Sequence, residues 1–408
     1  MDILEAKKIV VEAGKRLVSS GLIARTWGNV SCRVDDKRFV ITPSGRAYET
    51  LTPDEIVLVN IDDLSYEGDI KPSSEKGIHA KCYELRPETN FVIHTHQMYA
   101  SIISALGYDI NGIDGESRDI IGDNIPVSSY GLSGTGKLKN AVVEALKRSD
   151  SKAVIMKHHG AVCLGADYDD AFKVASELEK VCERYILDRY EVLTQTTAES
   201  FTDVCNYVAD VKRRGDALCK PLDAYDSTRE GNVVVLKNKD GSEKATIALK
   251  KRMLILGDEM PKEAELHCAI YEKRQDAGAI VHSDDESVLS ASKVVVKKLR
   301  PLIDDFAQIA GTTIKTVGFD PDDAKKTGKK VANAFGKHKN AVLLKDNGAV
   351  CIGTSEDEAE ATAIVTAKNC KTFVATRMFK EPKYVGAIDC FLENFVYRVK
   401  YSKQKNKK

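Results

Sequence analysis

Apolar residues along this chain recur with two periods. From Tyr168 to Asp188 they fall at Ala171, Val174, Ala175, Leu178, Cys182 and Tyr185, the three-to-four spacing of a helix with one buried face. Similar patterning predicts helices over 3–20, 74–86, 97–106 and 137–148. Between them lie short β-rich runs, Phe39-Val40-Ile41-Thr42, Ile56-Val57-Leu58-Val59, Phe91-Val92-Ile93-His94 and Ala153-Val154-Ile155-Met156, which read as strands. Short strands alternating with helices predict an α/β fold, a central sheet with helices packed on it in an α/β/α three-layer sandwich.

The pattern occurs twice. Ala153-Val154-Ile155-Met156-Lys157-His158-His159-Gly160-Ala161-Val162-Cys163 matches Ala341-Val342-Leu343-Leu344-Lys345-Asp346-Asn347-Gly348-Ala349-Val350-Cys351 at a spacing of 188 residues. At the same spacing Glu75, His79, Tyr83, Glu84, Arg86 and His94 match Glu263, His267, Tyr271, Glu272, Arg274 and His282. Two tandem copies of one domain are expected, 1–210 and 225–400, with the junction in the aperiodic, basic stretch between them.

Composition narrows the function classes. Lys+Arg and Asp+Glu are both 61, so the global basic field of a nucleic-acid binder is missing. No apolar run approaches a membrane span, and the first residues lack a signal-peptide pattern. The 10 cysteines are scattered singly without a C-x-x-C, which points to a reducing, cytoplasmic compartment. Of the 8 histidines, five crowd into the first copy.

That crowding carries the first candidate chemistry. His94 and His96 are two apart on an expected strand, so both rings face one way. His159 ends another strand that could be a sheet neighbour. Three imidazoles with an open position suit a catalytic Zn²⁺, and Glu75 could complete the shell or act as a base beside it. A second candidate is an anion site built from three loops: Thr26-Trp27-Gly28-Asn29-Val30-Ser31, Thr42-Pro43-Ser44-Gly45 and Pro72-Ser73-Ser74-Glu75. Their N–H and hydroxyl groups suit a phosphate, although the same residues serve as ordinary turns and caps. A third stretch, Gly131-Leu132-Ser133-Gly134-Thr135-Gly136-Lys137, lacks the P-loop spacing and reads as a turn into a helix.

Together these motifs resemble the class II aldolase/adducin family, over almost all of residues 5–187. The resemblance implies Zn²⁺ on His94, His96 and His159, and acid–base work by Glu75. It implies phosphate binding by Thr26, Gly28, Asn29, Thr42, Ser44, Gly45, Ser73 and Ser74. The implied reaction is cleavage of a ketose 1-phosphate, fuculose-phosphate-like, to dihydroxyacetone phosphate and an aldehyde through an enediolate. A dehydratase or epimerase of a sugar phosphate, and a non-catalytic adducin-like scaffold, are the alternatives on the same fold. The family's proton-donating tyrosine has no counterpart in Ile113-Asp114-Gly115-Glu116, where Asp114 or Glu116 could substitute. The second copy has Asp284 and Asn347 where the first has His96 and His159, so it reads as a degenerate, structural copy. The family also implies a homo-oligomer, with two chains making a pseudo-tetramer.

Overall fold

The computed structural model describes residues 1–23, 27–212, 219–379 and 382–401. Contacts divide the chain into one unit containing Met1–Arg189 and another containing Tyr190–Arg398. This division falls before the 210–225 junction expected from the sequence.

The first unit runs α1 (Ile3–Ser19), β1 (Asn29–Arg33), β2 (Arg38–Ile41), β3 (Val57–Asn60), α2 (Lys76–Leu85), β4 (Phe91–Thr95), α3 (Met98–Leu106) and β5 (Ile110–Asn111). It continues through α4 (Gly115–Ile121), β6 (Asn124–Ile125), α5 (Gly136–Lys147), β7 (Ala153–Met156), β8 (Gly160–Gly165) and most of α6 (Tyr168–Thr194), whose last residues fall in the second unit. The helices start where the sequence offers caps. Asp2 accepts from the backbone N–H of Leu4 and Glu5 ahead of α1, and Thr135 accepts from Leu138 ahead of α5.

Six strands form one antiparallel sheet in the order β3-β2-β1-β4-β8-β7. Because side chains alternate across a strand, Phe39, Ile41, Val92, Val154, Met156, Val162 and Leu164 share one face. They pack with Ile78, Cys82 and Tyr83 of α2 and Leu138, Val142 and Leu146 of α5. Helices α1 and α3 contact other parts of the sheet, α1 at β1 and β2 and α3 at β7 and β8. This is the expected layering, with one correction. His94 and His159 do not come from paired strands, because β8 lies between β4 and β7. A tight β7–β8 hairpin inserts β8, and His159 sits in its turn.

That turn depends on a residue in the left-handed region. His158 has φ of 62° and its counterpart Asp346 has φ of 64°, a conformation that His, Asp and Asn tolerate better than bulky residues. Gly160 follows because a Cβ there would lie 2.2 Å from the Thr95 carbonyl oxygen, and Gly348 meets Ser283 in the same way at 2.2 Å.

The second unit comprises α7 (Phe201–Lys212), β9 (Asp226–Glu230), β10 (Val233–Lys237), β11 (Glu243–Ala248), β12 (Met253–Leu256), α8 (Ala264–Lys273), β13 (Ala279–Ser283) and α9 (Glu286–Val294). It ends with β14 (Lys298–Leu299), α10 (Asp304–Ile309), β15 (Ile314–Val317), α11 (Ala324–Phe335), β16 (Ala341–Leu344), β17 (Ala349–Gly353), α12 (Glu356–Thr376) and α13 (Ala387–Val396). Its nine-stranded sheet has the order β12-β11-β10-β9-β13-β17-β16-β15-β14. The stretch β9-β13-β17-β16 repeats β1-β4-β8-β7 of the first unit. Helices α8 and α11 share a core with one face of this sheet, while α9 and α12 contact β17. Among the described residues no helix is long and apolar enough to cross a membrane.

Two buried histidines make stability pH-dependent. Burial pushes the His79 imidazole down to about 4 and that of His267 down to about 3. Each ring therefore stays neutral in the folded chain while the unfolded chain takes up a proton near pH 6.5. The stabilisation is complete above that pH and is lost as pH falls, approaching about 1.4 kcal/mol per pH unit for each ring. Urea midpoints at pH 7.5, 6.5 and 5.5 should fall between the last two values, and His79→Gln should flatten that fall. A midpoint constant to pH 5 contradicts the assignment.

Candidate active site

Three segments deliver four side chains to the site. Strand β4 carries His94 and ends immediately before His96, the β7–β8 turn carries His159, and Glu75 caps the start of α2. The three imidazoles converge, with ring centroids 4.7, 4.9 and 5.1 Å apart and their ligand atoms all within 4.8 Å of one another. Among the described residues this is the one group of three or more His, Cys, Asp or Glu whose donor atoms meet in this way.

Neighbours set the direction of each ring. His94 Nδ1 lies 2.9 Å from the Ala161 carbonyl, which can only accept, so Nδ1 carries the proton. Burial pushes the His94 pKa down to about 3, so the ring is neutral and its Nε2 presents a lone pair. That atom lies 3.0 Å from His96 Nε2 and 3.2 Å from Glu75 Oε2. His159 Nδ1 is 3.2 Å from the Ser133 hydroxyl, and its Nε2 is 3.1 Å from Glu75 Oε1. Imidazole nitrogens and carboxylate oxygens thus crowd one small buried volume. Such a donor set suits a divalent cation, and a backbone carbonyl orienting His94 is the usual outer partner of a ligating imidazole.

Glu75 is buried, and burial alone would raise its pKa. His159, whose Nε2 it meets, and the Asn29 amide outweigh that effect and hold the carboxyl well below the ordinary carboxylate range. It is therefore a carboxylate at neutral pH, held at 3.0 Å by Asn29 Nδ2.

The expected phosphate loops come together, with one exception. Thr26 lies outside the described residues. Gly28 has φ of 120°, and a Cβ there would meet the His94 carbonyl oxygen at 2.5 Å, so the loop closes on β4 only with glycine. The Thr42 loop and the Ser73 loop meet at a bridge between Pro43 and Pro72. Thr42 Oγ1 accepts from Val30 N–H at 3.2 Å, and Ser73 N–H donates to the Thr42 carbonyl at 3.0 Å. Ser73 Oγ accepts from Glu75 N–H at 3.2 Å, which ties this loop to the carboxylate. Ser74 and Gly45 are exposed and Ser44 is half-buried. A recess beside Ser74 and Glu75 is walled by Lys76, Gly134, Thr135 and Lys139.

Several participants were not given their roles from sequence. Ser133 belongs to the glycine-rich turn before α5, which contacts His159 and walls the recess. Ser31, His79 and Tyr83 form a buried hydrogen-bonded group behind Asn29. A signal was present: Glu75, His79 and Tyr83 are spaced by four on one helix face and recur as Glu263, His267 and Tyr271.

In the second unit the corresponding histidine is differently committed. His282 uses Nε2, not Nδ1, to reach a backbone carbonyl, that of Asn347, at 2.7 Å. Asn347 holds the loop ahead of β9 by accepting from Leu222 N–H and donating to the Lys220 carbonyl. Lys239 pairs with Asp226 at 2.7 Å and donates to the His282 carbonyl.

The profile of the family described as "Class II Aldolase and Adducin N-terminal domain" matches residues 8–186 and again 210–374. A 5-deoxy-D-ribulose 1-phosphate aldolase of Bacillus thuringiensis serovar kurstaki is 34% identical over 177 residues, 43% of this chain and 82% of that protein. A 5-methylthioribulose-1-phosphate/5-deoxyribulose-1-phosphate aldolase of Escherichia coli is 33% identical over 186 residues, 46% of this chain and 85% of that protein. A solved L-fuculose 1-phosphate aldolase covers 46% of this chain and 87% of its own at 27% identity, with a TM-score of 0.43.

Proposed function

The chain belongs to the class II aldolase and adducin family, and from that premise we propose that it is a zinc-dependent aldolase of a ketose 1-phosphate. In this reading the first copy, 1–210, does the chemistry. The second, 225–400, is a structural copy, and the chain works as a homo-oligomer. The observation that carries the reading is the Glu75 carboxylate, set 3.1–3.2 Å from the Nε2 atoms of His159 and His94 inside a three-histidine group.

His94, His96 and His159 would hold the metal. A divalent cation, Zn²⁺ being the ion this donor set suits, supplies the Lewis acid that carbon–carbon cleavage beside a carbonyl needs when no Schiff base forms. The chain's own residues do the rest. When the C3–C4 bond of the ketose breaks, the C4 hydroxyl gives its proton to water and becomes the aldehyde carbonyl, and the electron pair stays with C3. The Glu75 carboxylate takes up a proton from water and delivers it to C3 in this direction, and it removes that proton in the synthetic one. Ser44, Gly45, Ser73 and Ser74, with Thr26, Gly28, Asn29 and Thr42 around them, hold the phosphate and so orient the reacting carbons. Because Ser44 N–H and Ser73 N–H are already bonded within the loops, their hydroxyls are the groups left for the phosphate.

The relatives act on 5-deoxyribulose 1-phosphate, methylthioribulose 1-phosphate and L-fuculose 1-phosphate, and these three make the first substrate panel. Triose phosphate released from at least one of them, read with a coupled glycerol-phosphate dehydrogenase, is the expected result. Loss of water from the panel without triose phosphate would replace the aldolase reading with a dehydratase.

A further inference from the structure

Glu75 stands at the end of a buried chain of hydrogen bonds. Tyr83 OH lies 2.6 Å from Ser31 Oγ, and Ser31 Oγ lies 2.6 Å from His79 Nδ1. His79 Nε2 bonds the Asn29 side-chain oxygen, and Asn29 Nδ2 bonds Glu75 Oε2 at 3.0 Å. Ser31, His79 and Tyr83 are at most 1% exposed and Asn29 is 5% exposed, so bulk water does not reach the chain.

The direction of every bond follows from the Tyr83 end. The Tyr83 hydroxyl has Ser31 Oγ as its hydrogen-bond partner, so its proton goes to Ser31. Reversing the chain would strand that proton in the core without an acceptor. Ser31 then donates to His79 Nδ1. A neutral imidazole has one N–H, so His79 carries it on Nε2 and donates to the Asn29 oxygen. The amide is left with one orientation, its NH₂ towards Glu75.

The second copy separates the structural part of this chain from the functional part. Ser227 lies 2.8 Å from His267 Nδ1 and 3.0 Å from Tyr271 OH, so the serine–histidine–tyrosine group is kept. Ser31 faces Val92 across the sheet and Ser227 faces Ile280, which puts Tyr225 at the place of Asn29. Tyr225 turns to Asp223, and His267 Nε2 is buried with no hydrogen-bond partner. The copy that lacks two of the three imidazoles also lacks the amide that would connect its histidine to its glutamate.

We propose that His79 is a positioning residue for proton transfer by Glu75: it locks the Asn29 amide so that its N–H faces the carboxylate. This rests on the aldolase reading, so the test uses one readout that depends on that reading and one that does not. The independent readout is the ¹⁵N shift pair of His79 in the metal-free protein. The Nε2–H tautomer is expected, and the Nδ1–H tautomer overturns the proposal. The dependent readout is exchange of the carbon-bound hydrogen of dihydroxyacetone phosphate with D₂O by zinc-loaded enzyme. His79→Leu should slow exchange at saturation by about 10–100-fold per bound zinc, with KM and zinc content near wild type, and His79→Gln, which can still donate to Asn29, should recover much of the loss. If His79→Leu does not fold, Tyr83→Phe releases the polarity from the far end and should slow exchange several-fold. Exchange at the wild-type rate in His79→Leu, or in Tyr83→Phe where that variant stands in, overturns the proposal. A wild type that exchanges no hydrogen overturns the aldolase reading and this inference with it, whatever the tautomer.

Discussion

His94→Ala and His159→Ala should each leave a folded protein that has lost stoichiometric zinc and at least about a thousandfold in triose phosphate release. The size follows from the part being removed: Lewis-acid stabilisation of developing charge is worth several kcal/mol, and about 4 kcal/mol is a thousandfold in rate. His94 supplies the ring whose proton is fixed on Nδ1 by Ala161, which leaves Nε2 for the metal. His159 supplies the ring beside Ser133 and against Glu75. Removing either leaves two imidazoles. Metal analysis of wild type and variants reads the first effect and the coupled assay the second. Chelation of the wild type should reproduce the loss and added zinc should reverse it, whereas zinc should not rescue either variant. Wild-type protein purified and reconstituted without stoichiometric metal would refute the assignment.

Glu75→Gln should separate proton transfer from metal binding. The side chain keeps its shape, and its amide oxygen can still accept from Asn29 Nδ2. It cannot accept a proton from carbon. Hydrogen exchange on dihydroxyacetone phosphate should therefore fall by about 10²–10⁴-fold, the usual contribution of a positioned general base. Zinc content should stay near one per chain, because the three imidazoles are untouched. A parallel loss of zinc would make Glu75 a metal ligand instead of the base.

The contrast between these experiments reflects what could be read from the residues. Glu75, His94, His96 and His159 were legible because few residue types bind metals or move protons, and these cluster in one copy of a repeat whose other copy has Asp284 and Asn347 instead. The helices and most of the strands were legible from periodicity, since burial of one face imposes it locally. The neighbour relation of β4 and β7 was not. Apolar alternation says that a strand is buried and leaves open which strand lies beside it, and here a two-strand hairpin through His158 puts β8 between them.

The hydrogen-bond chain marks the same limit. Asn29 and His79 are 50 residues apart, and His159 and Ser133 are 26 apart, so their pairing depends on how β1, α2 and the turn before α5 pack. By itself the sequence determined the tandem family fold, the residue types suited to holding a metal and the copy that retains them, because those are written in local periodicity and in side-chain chemistry. Only the tertiary structure decided which ring nitrogen faces the site and which way the Asn29 amide points. Those choices depend on satisfying every buried donor and acceptor at once, and that set of partners exists only after the sheet has closed around it.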